Sequence, residues 1–141
     1  MEMNKILVGF DGSPSSKKAL EHAKSLSAKL NSSVTVLTVV RLPDFSSSMD
    51  EVSEVMDEAE KRIVPMHKEI AESAQKEGIK LQTLIIHGHP VEKIIDYAQE
   101  NGFDLIVIGT RGVGGFKKLV IGSVAQKVVS YSKVPVMVVK E

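Results

Sequence analysis

The chain has 141 residues, balances 18 Lys and Arg against 18 Asp and Glu, and contains no cysteine. That length suits one domain that buries its own core, while the missing thiols exclude disulfides, thiolate metal sites and cysteine nucleophiles. The even charge gives no nucleic-acid footprint, and no apolar run in the sequence approaches the ~20 residues that cross a bilayer. The opening MEMNKILVGFDGS shows no signal-peptide pattern, so a cytoplasmic location is expected.

In chain order, KILVGF (5–10) is a short run rich in Ile, Leu and Val, followed by a turn, FDGSP. Ser13 is a good N-cap and Pro14 suits the first helical position. Ala19, Leu20, Ala23, Leu26 and Leu30 then recur at helical spacing. SVTVLTVV (33–40) is the second apolar run, and RLPDFSSSMD (41–50) reads as a polar loop. Val52, Val55, Met56, Ala59, Ile63, Met66, Ile70 and Ala74 mark a long helix, expected to kink or break at Pro65 and to stop near Gly78.

IKLQTLII (79–86) alternates apolar and polar residues in its first half, as a strand at a sheet edge would. Pro90 opens a helix with Val91, Ile94, Ile95 and Ala98 inward, ended by Asn101 and Gly102. DLIVIG (104–109) is a fourth strand, and Val124, Ala125, Val128 and Val129 mark a fourth helix. The closing strand VPVMVV opens on Val134, carries Pro135 and ends on Val139. A proline cannot donate to a ladder, which puts this strand at an edge as well.

The order βαβαβαβαβ implies an α/β fold: a five-stranded parallel sheet with helices on both faces. Right-handed crossovers with strands three and five at the edges give the strand order 3-2-1-4-5. The topological switch point then lies between strands one and four, where open α/β sheets bind ligands. Two loops leave the sheet there: FDGSP and a glycine-rich stretch, GTRGVGGFKKLVIGS (109–123), which holds five of the chain's ten glycines.

Successive glycines let backbone amides converge on one point, and a following helix N-terminus adds partial positive charge. Arg111, Lys117 and Lys118 add formal charge nearby, so the stretch asks for a phosphate. It is not a P-loop, because Gly115 stands where GxxxxGK[ST] requires lysine. It is not GxGxxG either, because Lys117 stands where the third glycine would be. A surface loop without a ligand is the plain alternative.

Gly109-x2-Gly112-x9-Gly122-Ser123 resembles the signature of ATP-binding universal stress proteins, and KILVGFDGS, HGHP, DLIVIGTRG and VPVMVVK extend the resemblance along the whole chain. The family's fold is the sheet inferred above. The resemblance implies that Gly109, Thr110, Arg111, Gly112, Val113, Gly114 and Gly115 wrap the ribose and phosphates. Gly122, Ser123, Val124 and Ala125 would place amides and a hydroxyl on the phosphates. Asp11, with Gly9 and Phe10 beside it, would flank adenine and ribose, and Val39 would wall the adenine ring. Phe10 replaces a residue that is commonly smaller in the family, which would narrow the pocket. The implied cofactor is ATP, with Mg2+ carried by the phosphates, and the implied assembly is a homodimer through the closing strand.

Each of these residues has a plainer role beside the ligand role. Asp11 suits a turn that bonds its own backbone, and Ser123 suits an N-cap. His87 and His89 lack a third ligand and make a weak metal pair, with His89 better read as a helix cap. His22 and His67 are expected to face solvent, and Met56 and Met66 to face the core. No nucleophile or general base is evident, so a nucleotide-dependent regulatory module leads, with a slow ATPase or autophosphorylating enzyme as the alternative. A nucleotide-free scaffold fits less well because the glycine signature is intact. A two-component receiver would need an acceptor Asp ending strand three, where this chain reads LIIHGHP.

Overall fold

The computed structural model describes residues 3–41, 48–110 and 121–141. In chain order these form β1 (Lys5–Gly9), α1 (Pro14–Leu30), β2 (Ser33–Val40), α2 (Met49–Glu77), β3 (Leu81–His87), α3 (Pro90–Glu100), β4 (Leu105–Gly109), α4 (Ser123–Tyr131) and β5 (Val136–Val139). The strands make one parallel sheet in the order β3-β2-β1-β4-β5, as the sequence implies.

Side chains alternate across the sheet with the two-residue period of a strand. Ile6, Val8 and Phe10 turn to one face, where they meet Ala19, Leu20 and Ala23 of α1 and Met66 and Ile70 of α2. Leu7, Leu37, Ile106 and Ile108 turn to the other, against Ile94 and Ala98 of α3 and Ala125 and Val128 of α4. Both faces of β1 are therefore covered, and Ile6, Leu7 and Val8 are wholly buried. That two-sided cover is why the central strands read as unbroken apolar runs. Each such side chain stabilises the fold by about 1.5–3 kcal/mol through burial.

The edges are wetter. No residue of β3 is fully buried, and in β5 only Val139 is. Pro135 lies just before β5 rather than within it, and its carbonyl accepts from the amide of Ile106 at 2.9 Å. Proline thus supplies the one ladder group it has.

Helix boundaries follow from local chemistry. Ser13 caps α1 by accepting from the amide of Ser16, with Pro14 in the first turn. Ser48 caps α2 by accepting from the amide of Glu51 at 3.2 Å, so that helix begins a turn before Val52. Gly78 ends it in the left-handed conformation, at a φ of 72°.

Four expectations need correction. Pro65 does not break α2, which runs on through it. Ile63 and His67 on either side of it are buried. His67 does not face solvent: it is 5 % exposed, with its ring 6.1 Å from that of Phe10. Leu30, Val55 and Val129 fit the helical stripes but are exposed, each at the margin of its buried face. Met56 is only half-buried, whereas Met66 packs on the core as expected. His22 is exposed.

Candidate functional site

Where β1 and β4 end side by side, the described residues enclose a cleft of about 900 Å³. All ten described residues of the expected site line it: Gly9, Phe10, Asp11 and Val39 on one side, and Gly109, Thr110, Gly122, Ser123, Val124 and Ala125 on the other. Arg111, Gly112, Val113, Gly114 and Gly115, with Lys117 and Lys118, lie outside the described residues.

The exit of β1 is tightly specified. A Cβ on Gly9 would lie 2.9 Å from Ile108 Cγ2 and 3.3 Å from Ile94 Cδ1, so the strand end and α3 meet only over a glycine. The amide of Phe10 donates to the carbonyl of Leu37 at 2.9 Å, and its carbonyl accepts from Thr38 Oγ1 at 2.6 Å. The Phe10 ring joins the core on the α1 and α2 face and is 4 % exposed, so it does not stand free in the cleft as a narrowing side chain would.

Asp11 makes the turn expected of it. Its Oδ1 accepts from the amide of Ser13 at 2.9 Å, the turn that leads into α1, and the residue also forms cleft wall. Gly12 follows at a φ of 84°, a left-handed conformation that suits glycine.

The exit of β4 is equally constrained. A Cβ on Gly109 would fall 2.6 Å from the backbone carbonyl carbon of Ser15, so α1 approaches β4 over a bare backbone. Thr110 is buried; its amide donates to the carbonyl of Val139 at 3.0 Å and its carbonyl accepts from the amide of Gly122 at 2.5 Å. Gly122, not Ser123, is the N-cap of α4, and Ser123 is the first helical residue. The Gly122 amide therefore bonds the end of β4. The amides of Ser123, Val124 and Ala125 have no intrahelical acceptor, and a glycine cap makes no side-chain bond to them. These three donors open on the cleft with the positive end of the helix dipole behind them.

Sequence reasoning missed the wall contributed by α2. Val55, Ala59, Arg62 and Ile63 line the cleft at helical spacing, and Arg62 Nη1 donates to the carbonyl of Asp11 at 3.2 Å. The available signal was length: a 29-residue amphipathic helix is longer than the strands it crosses. Arg41, at the end of β2, also lines the cleft.

Beneath the cleft floor lies a buried polar chain. Thr38 spends its single proton on the Phe10 carbonyl, so it accepts from His67 Nε2 at 2.7 Å, which fixes the proton on Nε2. Burial pushes the His67 pKa below its ordinary value and keeps the ring neutral. Elsewhere, His87 Nε2 lies 3.0 Å from Glu60 Oε1 of α2. His89 occupies the N-cap of α3 but makes no side-chain capping bond. Among the described residues no three His, Asp or Glu converge as metal ligands, and no helix is long and apolar enough to cross a membrane.

Known proteins share this sequence pattern and this fold. The sequence profile of the universal stress protein family matches residues 2–140. The universal stress protein YxiE of Bacillus subtilis is 32 % identical, over 97 % of this chain and 99 % of its own length. Among solved structures, universal stress protein UspA from Lactobacillus plantarum superposes with a TM-score of 0.85 at 23 % identity, covering 99 % of each chain. A universal stress protein in complex with cAMP superposes with a TM-score of 0.73 at 27 % identity, covering 96 % of each chain. The sheet order, the glycine signature and these likenesses converge on one conclusion: the chain belongs to the universal stress protein family.

Proposed function

We propose that this protein is an adenine-nucleotide-binding regulatory module whose ligand is ATP, held in the cleft between β1 and β4. The observation that carries the reading is the set of three amides without an intrahelical acceptor, on Ser123, Val124 and Ala125, at one end of a cleft that is otherwise largely apolar. The amides suit phosphate oxygens. Val39 suits a flat base, and Asp11, which lines the same cleft, would flank adenine and ribose. A relative solved with cAMP lends support from within the family. Mg2+ would be carried by the phosphates, since hard divalent cations in nucleotide sites draw much of their coordination from phosphate oxygens and water.

The module would work in the cytoplasm as a homodimer through β5. That short edge strand presents unpaired backbone groups and half-buried Val136, Met137 and Val138. A two-fold copy would pair them antiparallel. Sedimentation at micromolar concentration should give twice the chain mass; a monomer there would leave β5 without this role.

The test of the ligand is mass spectrometry of what the denatured protein releases, together with calorimetry. Adenine nucleotide in the release and saturable ATP binding support the reading, and the absence of both overturns it. Steady ATP turnover well above that of a Gly122→Val control would favour the enzymatic alternative.

A further inference from the structure

On the reading that a nucleotide fills the cleft, we propose that Arg62 of α2 is one of its binding residues, gripping a phosphate from the wall opposite α4. The two helices flank the cleft from opposite faces of the sheet, α2 on the Phe10 side and α4 on the Leu7 side. Val55, Ala59, Arg62 and Ile63 share one side of α2 and line the cleft together, and Arg62 is the cation among them.

The guanidinium is held in place yet left open. Its Nη1 donates to the main-chain carbonyl of Asp11 at 3.2 Å, which fixes it at the exit of β1. The Asp11 carboxylate is not ion-paired with it among the described residues, and its Oδ1 accepts from the amide of Ser13. Among the described residues, the ion pairs are Lys24 with Glu21 and Glu77, and His87 with Glu60, so Arg62 faces no compensating carboxylate. A guanidinium carries five N–H donors in a planar fork that matches phosphate oxygens in pairs. The cleft thus presents donors to an anion from both sides, helical amides from α4 and a guanidinium from α2.

The experiment compares wild type, Arg62→Gln and Arg62→Lys for ATP by calorimetry and for adenosine by ligand-observed NMR, which reads millimolar binding. Arg62 is exposed, so the variants should fold, and circular dichroism checks this. Arg62→Gln should weaken ATP about tenfold or more, the scale of a lost charge-assisted hydrogen bond, and leave adenosine unchanged. Arg62→Lys should recover part of the loss, since it keeps the charge without the fork. Unaltered ATP affinity in Arg62→Gln, or an equal loss for adenosine, overturns the proposal while the cleft keeps its nucleotide. A wild type that binds neither ligand overturns the cleft reading itself, and Arg62 with it.

Discussion

The amide of Gly122 donates to the carbonyl of Thr110 at 2.5 Å, across an interval in which the sequence places the middle of its glycine signature. The bond pins the start of α4 to the end of β4. It also sorts the signature glycines by task. Gly109 and Gly122 have structural work visible in the fold, whereas Gly112 lies outside the described residues.

Gly109→Ala should therefore damage stability before it touches binding. The new Cβ would meet the backbone of Ser15 at 2.6 Å, and a backbone cannot turn aside as a flexible side chain can. Overpacking of this kind costs about 1–3 kcal/mol, read as a lower urea midpoint at unchanged slope. An alanine variant as stable as wild type would show that α1 can retreat from β4.

Gly112→Val is the cleaner probe of the ligand. It should abolish nucleotide binding while leaving the circular dichroism spectrum and urea midpoint unaltered. Unchanged affinity would move the binding site away from the glycine signature.

The contrast between these glycines shows what was legible in the sequence. Strand order followed from apolar runs, crossovers and edge signals, because two-sided burial writes itself into composition at Ile6, Leu7 and Val8. The described residues that line the cleft at the ends of β1 and β4 followed from the switch point and from glycine spacing. The wall formed by α2 did not, because periodicity marks which face of a helix is apolar without saying whether a sheet or a ligand covers it. Val55 and Ile63 share one stripe, yet one is exposed over the cleft and the other wholly buried. His67 was misread for a related reason: a polar residue on an apolar stripe looks solvent-facing until its partner, Thr38 from a strand 29 positions away, is in view.

Pro65 offers a test of how α2 tolerates its proline. Pro65→Ala restores a donor for the carbonyl one turn back and relieves a helix-interior penalty of about 3 kcal/mol. The freer unfolded chain offsets up to about 1 kcal/mol of that gain. A stabilisation of about 2–3 kcal/mol in urea is expected. A destabilised alanine variant would mean that α2 is shaped around the proline and has no slack to recover.

Thr38 joins His67 to the carbonyl of Phe10, at the residue just before Asp11. Thr38→Val keeps the volume but orphans a buried imidazole N–H and a buried carbonyl, which costs about 1–3 kcal/mol for each group left unsatisfied. The pH dependence follows from the same contact. Burial lowers the pKa of His67 in the folded state, so below the ordinary histidine value of about 6.5 the unfolded chain takes up a proton that the folded chain refuses. Stability is thus unaffected by His67 above that pH, declines as pH falls below it, and levels once the folded ring also protonates. His67→Gln keeps a donor for Thr38 and removes the titration. Urea midpoints at pH 7.5 and 5.5 should fall by less in His67→Gln than in wild type. Equal falls would show that His67 is not the group whose protonation loosens the fold.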